Sequence, residues 1–127
     1  MEILVCTKRH YDDFLRKKRC KILNSLEKAL EEKPDIAIIA NVTSLHVKTA
    51  IKVANSGINL FIEKPLSNSL NGVKTLSDVV KKRKLVTLIG CNLRFHPCIK
   101  KIKEVIAKKE IGKIISVHAE NGSFLPE

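Results

Sequence analysis

Residues 36–46 read Ile36-Ala37-Ile38-Ile39-Ala40-Asn41-Val42-Thr43-Ser44-Leu45-His46. An unbroken apolar run from Ile36 to Ala40, without polar alternation, predicts a parallel strand covered on both faces. Asn41 breaks the run, and Thr43 or Ser44 is placed to cap a helix. Beyond them Val47, Ala50, Ile51 and Ala54 recur at i, i+3, i+4 and i+7, the spacing of one helical face. Gly57 offers a left-handed stop, and Ile58–Ile62 follows as another apolar run. Strand, loop, helix and strand in this order make a βαβ unit.

The alternation extends in both directions. Upstream, Ile3–Cys6 and the very short Lys21–Leu23 are strand candidates. Asn24 takes the N-cap position with Glu27 three residues on, a capping-box arrangement, and the helix Ser25–Glu32 stops before Pro34. Downstream, Leu70, Val73, Leu76 and Val80 stripe a helix, and Leu85–Ile89 is a strand closed by Gly90. Pro97 suits the first turn of a helix carrying Ile99, Ile102 and Ile106 and ending at Gly112, and Ile114–Ala119 predicts a last strand. The fold class is therefore α/β, with a doubly wound, mainly parallel sheet and right-handed crossovers. Ligands of such sheets bind outside the carboxyl ends of the strands. That rule selects Thr7–Arg9, Asn41–His46, Glu63–Pro65 and Asn92–His96.

The 127 residues suffice for one domain with a core, and 44% hydrophobic with 29% charged residues is ordinary for a soluble globular protein. Abundant Ile, Leu and Val argue against disorder. No apolar stretch approaches the ~20 residues of a spanning helix, and Met1–Val5 has no basic leader, so a cytoplasmic location is expected. Cys6, Cys20, Cys91 and Cys98 form no C-x-x-C pair, which predicts reduced thiols, mostly small core residues, and no metal site.

The net charge is +11, and 19 of the 24 basic residues are lysine. Arg16–Arg19, Lys81–Lys84, and Lys100-Lys101 with Lys103 form basic runs that could meet a polyanion. With one Tyr and no Trp the chain lacks stacking platforms, which disfavours nucleic acid.

The strand-end residues carry a resemblance. A strand leading to Asn41–His46, a helix, a strand running into Glu63-Lys64-Pro65, and a strand ending in Asn92-Leu93-Arg94-Phe95-His96-Pro97 together resemble the Gfo/Idh/MocA family of nicotinamide-dependent oxidoreductases. The resemblance implies an N-terminal Rossmann domain followed by a substrate-binding α/β domain. It implies hydride transfer between NAD(P) and a hydroxyl or carbonyl carbon, usually of a sugar or polyol. It makes Lys64 the lysine beside the nicotinamide and the reacting oxygen, where an ammonium polarises that oxygen and stabilises developing negative charge. Glu63 is then structural or cofactor-facing, and the Lys64-Pro65 bond is often cis in the family. Asn41, Val42, Thr43 and His46 lie near the cofactor, although Val42 stands where the family usually has Pro. Asn92 and Arg94 resemble the segment lining the substrate pocket. Where an NAD enzyme commonly offers an acid to the ribose, this chain has Thr7, Lys8 and Arg9, which suit the 2′-phosphate of NADP.

The resemblance is partial. None of Gly57, Gly72, Gly90, Gly112 and Gly122 makes a G-x-G-x-x-G, so the first βα unit with its glycine-rich loop is expected to be missing. That unit holds the central strand, and its loss should leave the Ile3 and Ile36 strands without their shared neighbour, either exposing two edges open to self-association or letting the two close on each other. Residues 1–112 read as a partial dinucleotide-binding domain and residues 113–127 as the first strand of a substrate domain, without the family's acid/base histidine. The expected role is the NAD(P)-binding portion of a sugar, polyol or nucleotide-sugar oxidoreductase, inactive as this chain alone. The alternatives are a non-catalytic basic module for nucleic acid or another polyanion, and half of a two-chain enzyme.

Overall fold

The computed structural model describes residues 2–7, 17–18, 20–120 and 122. Among them every strand pairing is parallel. The chain divides into two compact units, residues 1–91 and 92–127.

In the first unit, β1 (Leu4–Cys6) pairs with β2 (Lys21–Leu23) as a separate two-stranded sheet. Helix α1 (Leu26–Glu31) packs on that pair, and the Lys21 ammonium lies 2.6 Å from Glu32 Oε1. The larger sheet runs β3 (Ile36–Ile39), β4 (Asn59–Ile62) and β5 (Thr87–Ile89) in that order. Its register sets Ile38 beside Phe61 and Phe61 beside Leu88. The two sheets stay apart, so β1 and β3 do not close on each other. Asn59 binds the sheet together at its entry edge: its Nδ2 donates to the Asp35 carbonyl at 3.1 Å, and its Oδ1 accepts from the Val86 N–H at 3.0 Å.

The core lies on one face of this sheet. Ile39, Leu60 and Ile62 meet Ala50, Val53 and Ala54 of α2 (His46–Asn55) and Leu76 of α3 (Val73–Arg83). Burying Ile62 or Val53 contributes about 1.5–3 kcal/mol each. Gly72, at φ +76°, lets α3 approach α2, because a Cβ there would sit 3.0 Å from Val47 Cγ1. Gly57, at φ +79°, ends α2 as expected.

Several sequence expectations are corrected. The Ile36–Ala40 strand is parallel but covered on one face only, since Ile36 is 62% and Ile38 72% exposed. The cap of α1 is Ser25 rather than Asn24, and its hydroxyl donates to Glu27 Oε2 at 2.8 Å. Neither Thr43 nor Ser44 caps α2; Thr43–Leu45 is a 3₁₀ turn leading into it. Leu70 lies outside α3 and is exposed. The cysteines are free thiols, but Cys6, Cys91 and Cys98 are exposed and Cys20 half-buried, so they are not core residues.

In the second unit a 3₁₀ turn (Asn92–Phe95) leads to α4 (Pro97–Ala107), with Pro97 in its first turn. The His96 Nδ1 accepts from the Cys98 N–H at 3.3 Å and caps this helix. Glu104 pairs with both Lys101 and Lys108. Residues 114–119 form no strand, because a strand exists only through a hydrogen-bonded neighbour, and they have none among the described residues.

Candidate functional site

The parallel register brings the carboxyl ends of β3 and β4 side by side. Ile39 lies opposite Ile62, and the Glu63 N–H donates to the Ile39 carbonyl at 2.9 Å. The two loops that follow, Ala40–Leu45 and Glu63–Leu66, therefore share one rim, where a parallel sheet exposes unpaired backbone to a ligand.

His46 holds the rim from beneath. It opens α2 and is 2% exposed. Its Nε2 lies 2.9 Å from the Asn41 carbonyl and its Nδ1 2.9 Å from the Pro65 carbonyl. The Asn41 side chain is also anchored to α2, with Nδ2 donating to Thr49 Oγ1 at 3.0 Å. Above these anchors Val42 is 67% exposed and Thr43 half-buried.

The Lys64-Pro65 peptide bond is cis. Glu63 turns back on its own loop: Oε2 accepts from the Lys64 N–H at 3.1 Å, and its carboxylate packs over Gly90, where a Cβ would meet Oε2 at 3.1 Å. The Lys64 side chain is exposed and, among the described residues, pairs with no carboxylate. Among the described residues the rim thus presents a lysine without an ion-pair partner.

Thr7 follows β1, its N–H donating to the Leu23 carbonyl at 3.0 Å, whereas Lys8 and Arg9 lie outside the described residues. Asn92 and Arg94 are exposed on the 3₁₀ turn of the second unit. Among the described residues no group of His, Cys, Asp and Glu is arranged to hold a metal. No helix among them is long and apolar enough to cross a membrane.

Sequence reasoning did not find Thr49, Gly90 or the Pro65 carbonyl as parts of the rim. The spacing of Thr49 marked only a helix position, and a backbone carbonyl leaves no side-chain signature. It also missed a groove of about 410 Å³ beside α2, where Ser44, Lys48, Ser67, Ser69 and Asn71 gather.

Comparison with known proteins decides the lineage. Residues 3–91 match the GFO_IDH_MocA family, described as an oxidoreductase family with an NAD-binding Rossmann fold. The chain belongs to the Gfo/Idh/MocA family. It is 40% identical over 81 residues to the scyllo-inositol 2-dehydrogenase (NAD(+)) of Bacillus subtilis, an alignment covering 64% of this chain and 24% of that protein. It is 32% identical over 102 residues to the levoglucosan dehydrogenase of Pseudarthrobacter phenanthrenivorans, covering 79% of this chain and 25% of that protein. The chain thus spans about a quarter of the length of these curated relatives. The myo-inositol 2-dehydrogenase of Lactobacillus plantarum shares the fold, with a TM-score of 0.79 at 23% identity, over 89% of this chain and 35% of that one.

The rim residues of this Gfo/Idh/MocA chain fit one end of a dinucleotide. The open backbone after β3 and the exposed Lys64 offer hydrogen-bond donors and a cation to such a ligand. A pyrophosphate would need the closely approached backbone of a glycine-rich turn, and none of the five glycines supplies that spacing.

Proposed function

We propose that this chain is the nicotinamide-side portion of the dinucleotide-binding domain of an oxidoreductase acting on a sugar, polyol or nucleotide sugar. Asn41, Val42 and Thr43 form the wall beside the cofactor, with His46 holding that wall from beneath, and Thr7, Lys8 and Arg9 favour NADP over NAD by offering a hydroxyl and two cations to the 2′-phosphate. Lys64 is the catalytic residue. Its ammonium donates a hydrogen bond to the substrate oxygen, orients it, and stabilises negative charge as it develops there. The nicotinamide supplies or accepts the hydride when bound. Glu63 shapes the loop, and Asn92 and Arg94 belong to the substrate side. Residues 1–112 are the dinucleotide-binding part and residues 113–127 open the substrate domain.

The observation that carries this reading is the exposed Lys64, without an ion pair among the described residues, on a rim that His46 ties to the Asn41 loop. The test is NADPH fluorescence with the chain alone and with a strand–G-x-G-x-x-G–helix unit fused before Met1. Binding by the fusion and none by the chain alone is expected. A fusion that folds and binds neither NADPH nor NADH overturns the assignment.

A further inference from the structure

We propose that the groove beside α2 is a second binding site, one that takes the phosphate group of a small polyol phosphate. Two walls build it. On one, Ser44, Val47, Lys48 and Ile51 follow the i, i+3, i+4, i+7 spacing of a single helical face. On the other, the loop leading to α3 contributes every second residue, Ser67, Ser69 and Asn71, while Leu70 between them is exposed. The space they enclose is about 410 Å³, the size of a small-molecule site. Its floor is apolar: Val47 is buried and Ile51 half-buried. Gly72 adds backbone to that floor and no side chain, since a Cβ there would stand 3.0 Å from Val47 Cγ1 and 3.4 Å from Ile51 Cδ1. Lys64 does not line the groove.

The polar groups around this floor are poised to donate. Ser67 Oγ accepts from the Ser69 N–H at 3.3 Å, and Ser69 Oγ from the Asn71 N–H at 3.4 Å. A hydroxyl whose lone pair is used in this way keeps its O–H to give. The Lys48 ammonium has three N–H groups and no acceptor. The charge has the same sign. Residues 36–62 contain no Asp or Glu, and neither do residues 64–77. Glu63 between them is turned to the Lys64 N–H and Gly90. Two other lysines of these segments meet carboxylates from elsewhere, Lys52 that of Glu27 and Lys74 that of Asp78. Among the described residues Lys48 meets none. A ligand matching donors and one cation above an apolar floor brings negative oxygens at one end and carbon at the other. Because the donors come from two facing walls, a tetrahedral phosphate reaches more of them at once than a planar carboxylate does. The C–H groups of the attached polyol then lie on Val47 and Ile51.

The test is nuclear magnetic resonance on the ¹⁵N-labelled 127-residue chain, titrated at fixed ionic strength with glycerol phosphate, with inorganic phosphate and with glycerol. The expected result is that both phosphates move the amides of Lys48, Ser67, Ser69 and Asn71 together and saturably in the millimolar range, glycerol phosphate at the lower concentration, while glycerol moves none. Groove amides that no phosphate moves overturn the site. So do amides of Lys81–Lys84 that move with the same midpoint, because phosphate is then meeting basic surface in general. Inorganic phosphate binding as tightly as glycerol phosphate overturns the polyol part of the assignment. Lys48 is exposed, so Lys48→Gln should fold, and it should weaken binding about 3–10-fold. Lys82→Gln removes the same charge outside the groove and should leave binding unchanged; equal losses in the two variants contradict the proposal. The readout needs neither cofactor nor turnover, so failure of the groove leaves the Lys64 assignment standing, and failure of the cofactor-binding test leaves the groove standing.

Discussion

Asn59 Nδ2 donates to the Asp35 carbonyl at 3.1 Å, from the first residue of β4 to the residue just before β3. The same amide accepts from the Val86 N–H on the other side. One side chain thus fixes the register of three parallel strands at the edge opposite the rim. Replacing Asn59 by Ala removes both bonds and should cost about 1–3 kcal/mol in urea unfolding. A cost below about 0.5 kcal/mol would show that backbone pairing alone sets the register.

The two faces of the sheet predict opposite outcomes for neighbouring isoleucines. Ile62 is fully buried against α2, so Ile62→Ala should cost about 2–5 kcal/mol. Ile38 is 72% exposed, and Ile38→Thr should change stability by less than about 0.5 kcal/mol. Chemical denaturation of both variants checks this. Equal losses would mean that the outer face is covered.

Acid should weaken the contact between α1 and α2. The backbone N–H of Glu27, the Lys52 ammonium at 3.0 Å and the Ser25 hydroxyl together hold the Glu27 carboxyl down to about 2. A carboxylate with a depressed pKa stabilises the fold above its unfolded value and loses that contribution as pH falls through the folded one. The contribution should fade between the ordinary value of 4.5 and about 2. It is small, because the pair is solvent-exposed. Thermal melts from neutral pH to pH 2.5 should show Glu27→Gln flatter across that window than the parent; parallel curves would contradict the assignment.

Much of this was legible in the residues, and the exceptions have physical causes. The apolar run at Ile36 marked a parallel strand, but a continuous run does not say which face another element covers. Asn24 and Ser25 both have N-cap chemistry, and which residue turns extended depends on how α1 leaves β2. Ile114–Ala119 has the composition of a strand, but among the described residues it has no partner to pair with. Glu63-Lys64-Pro65 and His46 stood out by spacing and resemblance. The partners of the histidine did not, because they are main-chain carbonyls whose meeting depends on the β3–β4 register.

The 127-residue chain by itself should not turn over substrate, since it lacks a glycine-rich phosphate cradle. NADPH oxidation with a keto-polyol should stay at background. Robust turnover by the pure chain would show that the cradle is dispensable.

The most direct measurement concerns Lys64. In a chimera that supplies this chain with a glycine-rich βα unit before it and the substrate domain of the Bacillus subtilis relative after it, kcat should be compared for the parent and Lys64→Ala. The account predicts a fall of about 10²–10³-fold in kcat with cofactor binding retained, the scale of losing one preorganised donor to a developing charge. A Lys64→Ala chimera within twofold of its parent would contradict it.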